Sequence, residues 1–207
     1  MNEALLNFIR NNTIKGFLSE TEGLALNQLA LQVSHLGPVL EVGSYCGKST
    51  VFLGKGCLQR ESLVIAIDHH RGSEEHQPGE SYHDADLLDC KGTGIDTFSA
   101  FRRTLELAGL QETVIPIVAS SQQVARFWST PLSLVFIDGG HSPEMALFDC
   151  RAWSRHIVPG GFLAVHDIFA DPAEGGQGPY QALQTIYESG DWTRCQQVES
   201  LGILQRK

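Results

Sequence analysis

The stretch VLEVGSYCGKST, residues 39–50, places an apolar run, a glycine loop and a hydroxyl-rich exit within twelve positions. Its first four residues have the pattern of a buried strand, and Lys48 begins a segment of helical period. A glycine loop between such a strand and helix lies at the carboxyl edge of a parallel sheet, where these folds bind ligands. Gly43 and Gly47 let the backbone approach a ligand closely, although a tight turn without a ligand would also use them.

Outward from this stretch, apolar runs alternate with segments of helical period, which is typical of a parallel sheet covered on both faces. The predicted strands are residues 39–42, 63–67, 114–118, 132–137 and 162–165. The predicted helices are residues 21–36, 48–57, 97–110, 121–128 and 143–157, with a further helix after Tyr180. Pro143 fits the first helical position, and the PGG of residues 159–161 is predicted to stop that helix. Residues 193–200 and 201–207 are nearly contiguous runs, which predicts a terminal antiparallel hairpin.

Composition restricts the class of protein. A chain of 207 residues with 42% hydrophobic content predicts one domain, with an N-terminal helical cap at about 1–36 and a lid-like insertion at about 69–96. The net charge of −9 disfavours a nucleic-acid partner, since phosphate binding depends on clustered Lys and Arg. Five cysteines without CxxC spacing predict reduced thiols.

No apolar run approaches the ~20 residues of a membrane helix, so we expect a cytoplasmic protein without a membrane partner. The N-terminal helix and the hairpin edge suggest a homodimer.

The class of ligand follows from the second predicted strand. Asp68 ends that strand 21 positions after Gly47, about the spacing at which a carboxylate binds ribose hydroxyls. A nucleoside ligand is therefore favoured, and both NAD and S-adenosylmethionine are candidates. The loop is GSYCG and not the GxGxxG that a pyrophosphate requires. Glu41 would attract the ammonium end of a methionine moiety and repel phosphates. These features favour S-adenosylmethionine.

On these residues the chain resembles the class I S-adenosylmethionine-dependent methyltransferases, because VLEVGSYCGKS is similar to the corresponding motif of the catechol O-methyltransferase group. The resemblance extends in outline over about residues 21–207. It implies an α/β, Rossmann-like, doubly wound sheet of seven strands in the order 3-2-1-4-5-7-6. It also implies the residues that bind the cofactor: Glu41, Gly43, Tyr45 and Ser49 at the methionine part, Asp68 at the ribose, Ser121 and Gln122 at the adenine, with Gly47 and Asp138 completing the set.

Two further segments, FIDGGHS (residues 136–142) and AVHDIF (residues 164–169), carry candidate catalytic groups at the ends of neighbouring strands. Asp138 and Asp167 each terminate an apolar strand, so they could share one divalent cation, or else cap the following helices. His141 can reach the same pocket from its loop, and His166 immediately precedes Asp167. Histidine suits a general base because its pKa of ~6.5 lies near neutral pH.

These segments resemble the metal-dependent O-methyltransferases that act on sugar hydroxyls. The resemblance implies that His141 is the general base, that Asp138 is catalytic, and that Asp138 and Asp167 bind Mg²⁺ or Mn²⁺. His166, which stands where those relatives carry a second acid, is expected to be a third ligand. The predicted function is metal-assisted O-methylation of a small-molecule hydroxyl. A nucleoside-binding protein without transferase activity and a compact NAD-dependent oxidoreductase are the alternatives.

Overall fold

The computed structural model describes residues 2–72, 84–89, 92 and 94–207 of the chain. The helices are α1 (Asn2–Asn11), α2 (Glu20–Val33), α3 (Lys48–Leu58), α4 (Phe98–Ala108), α5 (Ser121–Ala125), α6 (Pro143–Ser154) and α7 (Gly178–Tyr187). The strands are β1 (Val39–Val42), β2 (Val64–Asp68), β3 (Val114–Val118), β4 (Leu132–Ile137), β5 (Ile157–Val165), β6 (Trp192–Arg194) and β7 (Gly202–Arg206). Short 3-10 helices lie at Ser34–Leu36 and Ala85–Leu87.

Within these ranges, the seven strands form one sheet in the order β3-β2-β1-β4-β5-β7-β6. β1 pairs in parallel with β2 and β4, whereas β7 is antiparallel to both β5 and β6. The predicted fold class is therefore confirmed, including the terminal hairpin. Every residue of β1 and β4 is buried, as expected for central strands of a sheet covered on both faces. The loops that follow β1, β2, β4 and β5 consequently meet at one edge of the sheet.

The core consists of two apolar layers, one on each face of the sheet. Phe136 packs into the layer that contains Phe52 of α3 and Phe101 of α4, together with apolar residues of α1 and α2. The neighbouring Val135 belongs to the opposite layer, which contains Trp153 of α6. This alternation follows from the strand, because successive side chains point to opposite faces. Because the sheet is packed between these two layers, the ends of its strands are held in fixed positions relative to one another.

The predicted boundary between α6 and β5 is wrong. α6 ends at Ser154, and residues 159–161 lie inside β5 instead of stopping the helix. The strand absorbs them through an irregularity, since Leu132 pairs with Ile157 while Leu134 pairs with Phe162. A Cβ on Gly161 would lie 2.5 Å from the carbonyl oxygen of Ser133, so this close approach requires glycine.

The lid-like insertion predicted at about 69–96 is described in part, because residues 73–83, 90, 91 and 93 lie outside the described ranges. Its described portion contacts the N-terminal segment. Lys15 Nζ lies 2.6 Å from Asp84 Oδ2 and 2.9 Å from Asp86 Oδ2. Free thiols are found at Cys46, Cys57, Cys150 and Cys195, and Cys90 lies outside the described residues. Across the described ranges, the helices are too short or too polar to cross a bilayer.

Candidate active site

A cavity of about 1190 Å³ opens at the carboxyl edge of the sheet, between the strand-end loops and the segment that precedes α2. Most of the residues predicted for the site line it. They are Gly43, Tyr45, Ser49, Asp68, Ser121, Gln122, Asp138, His141, His166 and Asp167. Glu41 and Gly47 do not belong to its lining. The topology therefore brings together the residues that the sequence placed at separate strand ends.

The glycine loop after β1 is held against the end of β4. Gly43 has a φ of +86°, and a Cβ there would lie 2.1 Å from the carbonyl oxygen of Asp138. Only glycine satisfies both constraints. Tyr45, inside the same loop, has a φ of +46°, a conformation that costs a non-glycine residue free energy and persists where the surroundings impose it. The loop is thus a rigid wall of the cavity.

Asp68 supplies much of that rigidity. Its Oδ2 accepts hydrogen bonds from the backbone amides of Ser44 at 2.9 Å and Tyr45 at 2.8 Å, and its Oδ1 accepts one from His70 N at 2.7 Å. The carboxylate lines the cavity while it orders the loop. Each carboxylate oxygen accepts more than one hydrogen bond, so the predicted contact with ribose hydroxyls is compatible with these bonds and stays a prediction.

Glu41 has a different environment from the one expected. It is completely buried beneath the loop, where Oε1 accepts a hydrogen bond from Ser49 Oγ at 2.6 Å and Oε2 accepts one from Thr50 Oγ1 at 2.5 Å. Burial raises the pKa of Glu41 to about 7, although the hydroxyl hydrogen bonds oppose that shift. Glu41 is completely buried and does not line the cavity, and its two hydrogen bonds fasten the first turn of α3. The geometry does not support its predicted contact with a ligand ammonium group.

Asp138, His141 and Asp167 form a cluster on the cavity wall. Each offers a donor atom, and these atoms all lie within 4.8 Å of one another. His141 Nε2 lies 3.1 Å from Asp167 Oδ2. Burial would raise the pKa of Asp167, but hydrogen bonds to His141 and His166 outweigh burial and hold that pKa below its usual range. Asp167 has a φ of +57°, a backbone conformation typical of residues that a site holds in place.

His166 is the clearest difference from the predicted metal ligands. It is 7% exposed, and its Nδ1 lies 3.1 Å from Asp138 Oδ1 and 3.4 Å from Asp167 Oδ1. Its Nε2 lies 3.2 Å from Glu22 Oε2. Burial lowers the pKa of His166, but the hydrogen bonds to the three carboxylates dominate and raise it to about 12. A doubly protonated ring has no lone pair for a metal, so the geometry favours His141 over His166 as the third donor.

Glu22, in the first turn of α2, was missed by sequence reasoning. It is 3% exposed, and its Oε1 accepts hydrogen bonds from Ser200 N at 2.9 Å and Ser200 Oγ at 2.7 Å. Burial opposes ionisation, yet hydrogen bonds from His166, Ser200 and Ser19 lower the pKa of Glu22 to about 2. The sequence contains the Ser19-x-x-Glu22 capping box, which marks a helix start but not a site.

Asp149 is a second acid that sequence reasoning missed. It lies in α6, is 3% exposed, and lines the cavity near the predicted adenine residues. Its Oδ1 accepts a hydrogen bond from Ser121 Oγ, which in turn accepts one from Trp153 Nε1 at 2.8 Å. Burial raises the pKa of Asp149 to about 6 although Ser121 opposes the shift. A mid-helix acid gives no sequence signal of a site, so the fold alone locates it.

A family model described as a methyltransferase domain matches residues 40–168. The chain belongs to this methyltransferase family. The matched residues extend from β1 to the loop after β5, so they include Asp138, His141 and Asp167. Glu22 and Ser200 lie outside the match. In this methyltransferase the match therefore covers the cluster but not the carboxylate that pairs with His166.

Solved structures with the same fold are also methyltransferases. One is the O-methyltransferase TomG from Streptomyces achromogenes, which is involved in tomaymycin synthesis and was solved in complex with S-adenosylmethionine. It is 15% identical in sequence, with a TM-score of 0.63, and the alignment covers 100% of this chain and 89% of TomG. The O-methyltransferase from Bacillus cereus in complex with S-adenosylhomocysteine is 18% identical, with a TM-score of 0.60 and coverage of 100% and 90%. PaMTH1 from Podospora anserina, bound to S-adenosylhomocysteine, is 14% identical, with a TM-score of 0.66 and coverage of 99% and 88%. This methyltransferase shares their fold.

Proposed function

We propose that this methyltransferase transfers the methyl group of S-adenosylmethionine to a hydroxyl oxygen of a small molecule. The observation that supports the proposal is the pairing of His141 Nε2 with Asp167 Oδ2 at 3.1 Å, on the wall of the cavity that the glycine loop closes. A histidine paired with a carboxylate is suited to remove a hydroxyl proton, because the carboxylate stabilises the imidazolium that forms.

The cavity residues fit S-adenosylmethionine. Gly43 lines the cavity with its backbone, Asp68 lies at the end of β2 for the ribose, and Ser121 and Gln122 lie at the start of α5 for the adenine. When bound, S-adenosylmethionine supplies an electrophilic methyl group on a positively charged sulfur. The acidic wall formed by Asp138 and Asp167 suits that positive charge.

The chain's own residues then carry the proton. His141 Nε2 lies 3.1 Å from Asp167 Oδ2, a pairing that orients the ring, and the imidazole takes the proton of the acceptor hydroxyl. The hydroxyl oxygen uses its lone pair to bond the methyl carbon. The carbon–sulfur bond would break with its electrons left on sulfur, so the products would be S-adenosylhomocysteine and a methyl ether. Positioning of the two reactants supplies much of the rate enhancement, on the order of 7 to 11 kcal/mol in well-aligned cases.

Metal assistance is a second use of the same cluster. Asp138, His141 and Asp167 would hold the cation, since their donor atoms lie within 4.8 Å of one another. Two carboxylates and one imidazole suit Mn²⁺ better than Mg²⁺, because imidazole is a softer donor than oxygen. A bound ion would stabilise the negative charge that develops on the acceptor oxygen. In that arrangement His141 is a ligand instead of the base, so the metal dependence of the rate distinguishes the two uses.

Metal assistance predicts that Mn²⁺ raises kcat at least about tenfold over protein treated with EDTA, because the ion stabilises developing charge. The Asp138→Asn variant should lose this response, since an amide oxygen carries no charge. Rates with Mn²⁺, Mg²⁺ and EDTA measure the effect, and exposed Asp171→Asn serves as the matched control. Equal rates in all three conditions would contradict metal assistance and favour His141 as the base.

The cofactor is tested by thermal unfolding with S-adenosylhomocysteine or NAD. S-adenosylhomocysteine at 100 times its Kd should stabilise the protein by about 2.7 kcal/mol, whereas NAD should produce no shift. Release of S-adenosylhomocysteine from S-adenosylmethionine, with catechol and methyl glycosides as probe acceptors, then measures transfer. A shift with NAD alone would support the oxidoreductase alternative. Binding of S-adenosylhomocysteine without turnover of any hydroxyl, amine or carbon acceptor would support a nucleoside-binding protein without transferase activity.

A further inference from the structure

Asp149 is a buried acid that the proposed transfer does not use. It lies on α6 with 3% of its surface exposed, does not belong to the cluster of Asp138, His141 and Asp167, and lines the cavity at the predicted adenine end. Buried carboxylates are costly unless hydrogen bonds or positive charges compensate them. An acid in this position therefore requires a partner.

The compensation that the protein itself provides is incomplete. Among the described residues, the hydroxyl of Ser121 is the one hydrogen-bond donor to Asp149, and it binds Oδ1. The Ser121 oxygen accepts from Trp153 Nε1 at 2.8 Å, which leaves its own proton directed at the carboxylate. Burial keeps the pKa of Asp149 raised, at about 6, despite this hydrogen bond. The carboxylate is thus ionised near neutral pH with one neutral donor.

The second carboxylate oxygen lies beside a glycine of the cavity wall. A Cβ on Gly139 would lie 3.3 Å from Asp149 Oδ2, so any larger residue at this position would contact that oxygen. Gly139 and Asp149 both line the cavity, together with Ile67, Ala119 and Met145, which offer apolar surface to a flat ring. The arrangement combines an apolar slot with one acceptor at its edge. A planar base with an exocyclic amino group matches it.

We propose that Asp149 accepts a hydrogen bond from the 6-amino group of adenine and thereby selects adenosyl over 6-oxopurine ligands. This inference rests on the proposed function, because it assumes that a purine nucleoside occupies the cavity. A 6-amino group donates to the carboxylate, whereas a 6-oxo group would place an acceptor oxygen against a negative charge. A site built around a hydrogen bond rejects analogues that cannot form it.

Calorimetric titration of the full-length protein with S-adenosylhomocysteine and S-inosylhomocysteine tests the proposal. The wild-type protein should bind S-adenosylhomocysteine at least about tenfold more tightly. In Asp149→Asn the ratio of the two Kd values should fall to within about threefold, since a carboxamide can accept from an amino group and donate to an oxo group. Glu144→Gln, an exposed substitution on the same helix with the same charge change, should keep the wild-type ratio.

The variant should fold, because an uncharged isostere removes the cost of a buried charge. Gly139→Ala is a second variant: it places a methyl group beside Oδ2, leaves the Ser121 hydrogen bond in place, and should also reduce the ratio. A wild-type ratio in both folded variants would overturn the inference, as would equal binding of the two ligands by the wild-type protein. Binding of neither ligand by the wild-type protein would instead contradict the proposed function.

Discussion

His141→Ala is expected to lower kcat by about 10² to 10⁴, the usual contribution of a positioned general acid or base. The reason is geometric, because His141 Nε2 is held 3.1 Å from Asp167 Oδ2 on the cavity wall, and alanine removes the proton acceptor together with its pairing. The Kd of S-adenosylhomocysteine should change by less than about threefold, since the glycine loop and Asp68 are untouched. Both uses proposed for His141, as a base and as a metal ligand, predict this separation between turnover and binding.

His35→Ala is the matched control, because His35 is exposed in the 3-10 helix before β1 and does not line the cavity. Its kcat should equal that of the wild-type protein. Asp167→Asn should reduce kcat less than His141→Ala, since the base remains but loses the charge that stabilises its protonated form. If His141→Ala retained turnover, the base assignment would be wrong. If it lost S-adenosylhomocysteine binding as well, His141 would have a structural role.

The sheet was predictable from the sequence because its strands are apolar runs with polar or glycine boundaries. β1, β3 and β4 have the bounds predicted for them, and β2 is displaced by one residue. Central parallel strands are buried on both faces, so their contiguous apolar residues are a strong signal. The early part of β5 was not predictable, because a Pro-Gly-Gly run normally interrupts structure. Only the pairing of β5 with β4 shows that the strand accommodates this run as an irregularity.

The only site residues whose positions could be predicted are those that directly follow a parallel strand, because the direction of the strand decides at which edge of the sheet they lie. Asp68, Asp138 and Asp167 follow parallel strands, and the topology brings such ends to one edge whatever their neighbours are. Side-chain partners are different, because they depend on contacts between distant segments. Glu22 and His166 are 144 positions apart, and Glu22 and Ser200 are 178 apart. No local pattern predicts that these groups meet, so the protonation and role of His166 could be assigned only from the fold.

These partners explain how two acids can lie close together on one wall. Asp138 and Asp167 would repel each other and one would bind a proton, unless a positive group separated them. His166 provides that group, at 3.1 Å from one carboxylate and 3.4 Å from the other. Glu22 then balances the imidazolium from the opposite side of the ring. The charge of the buried network therefore depends on a residue of the N-terminal cap.

Glu22→Ala is accordingly expected to lower the free energy of unfolding by about 3 to 5 kcal/mol, the usual effect of removing one partner of a buried ion pair. The substitution leaves the imidazolium of His166 with one side uncompensated, and it removes the acceptor for Ser200 N and Ser200 Oγ. Urea unfolding at pH 7 measures the change. Glu20→Ala is the matched control in the same helical turn, where a carboxylate at the surface pairs with exposed Arg10, and it should have a much smaller effect than Glu22→Ala.

The free energies of unfolding of the wild-type protein and Glu22→Ala should differ in a pH-dependent way, and this dependence identifies the cause of the difference. The pKa of Glu22 is lowered from its ordinary value of 4.5 to about 2, so its stabilising contribution is fully present above pH 4.5 and is lost as the pH falls toward 2. The difference in free energy of unfolding between wild type and Glu22→Ala should therefore be constant near neutral pH and should decrease below about pH 4.5. A double-mutant cycle tests the pairing. His166→Ala alone leaves the buried carboxylate of Glu22 uncompensated, whereas in the Glu22→Ala background that carboxylate is already absent. The free-energy cost of His166→Ala should therefore be much smaller in the Glu22→Ala background. Additive costs would show that Glu22 stabilises the protein through helix capping and not through its ion pair with His166.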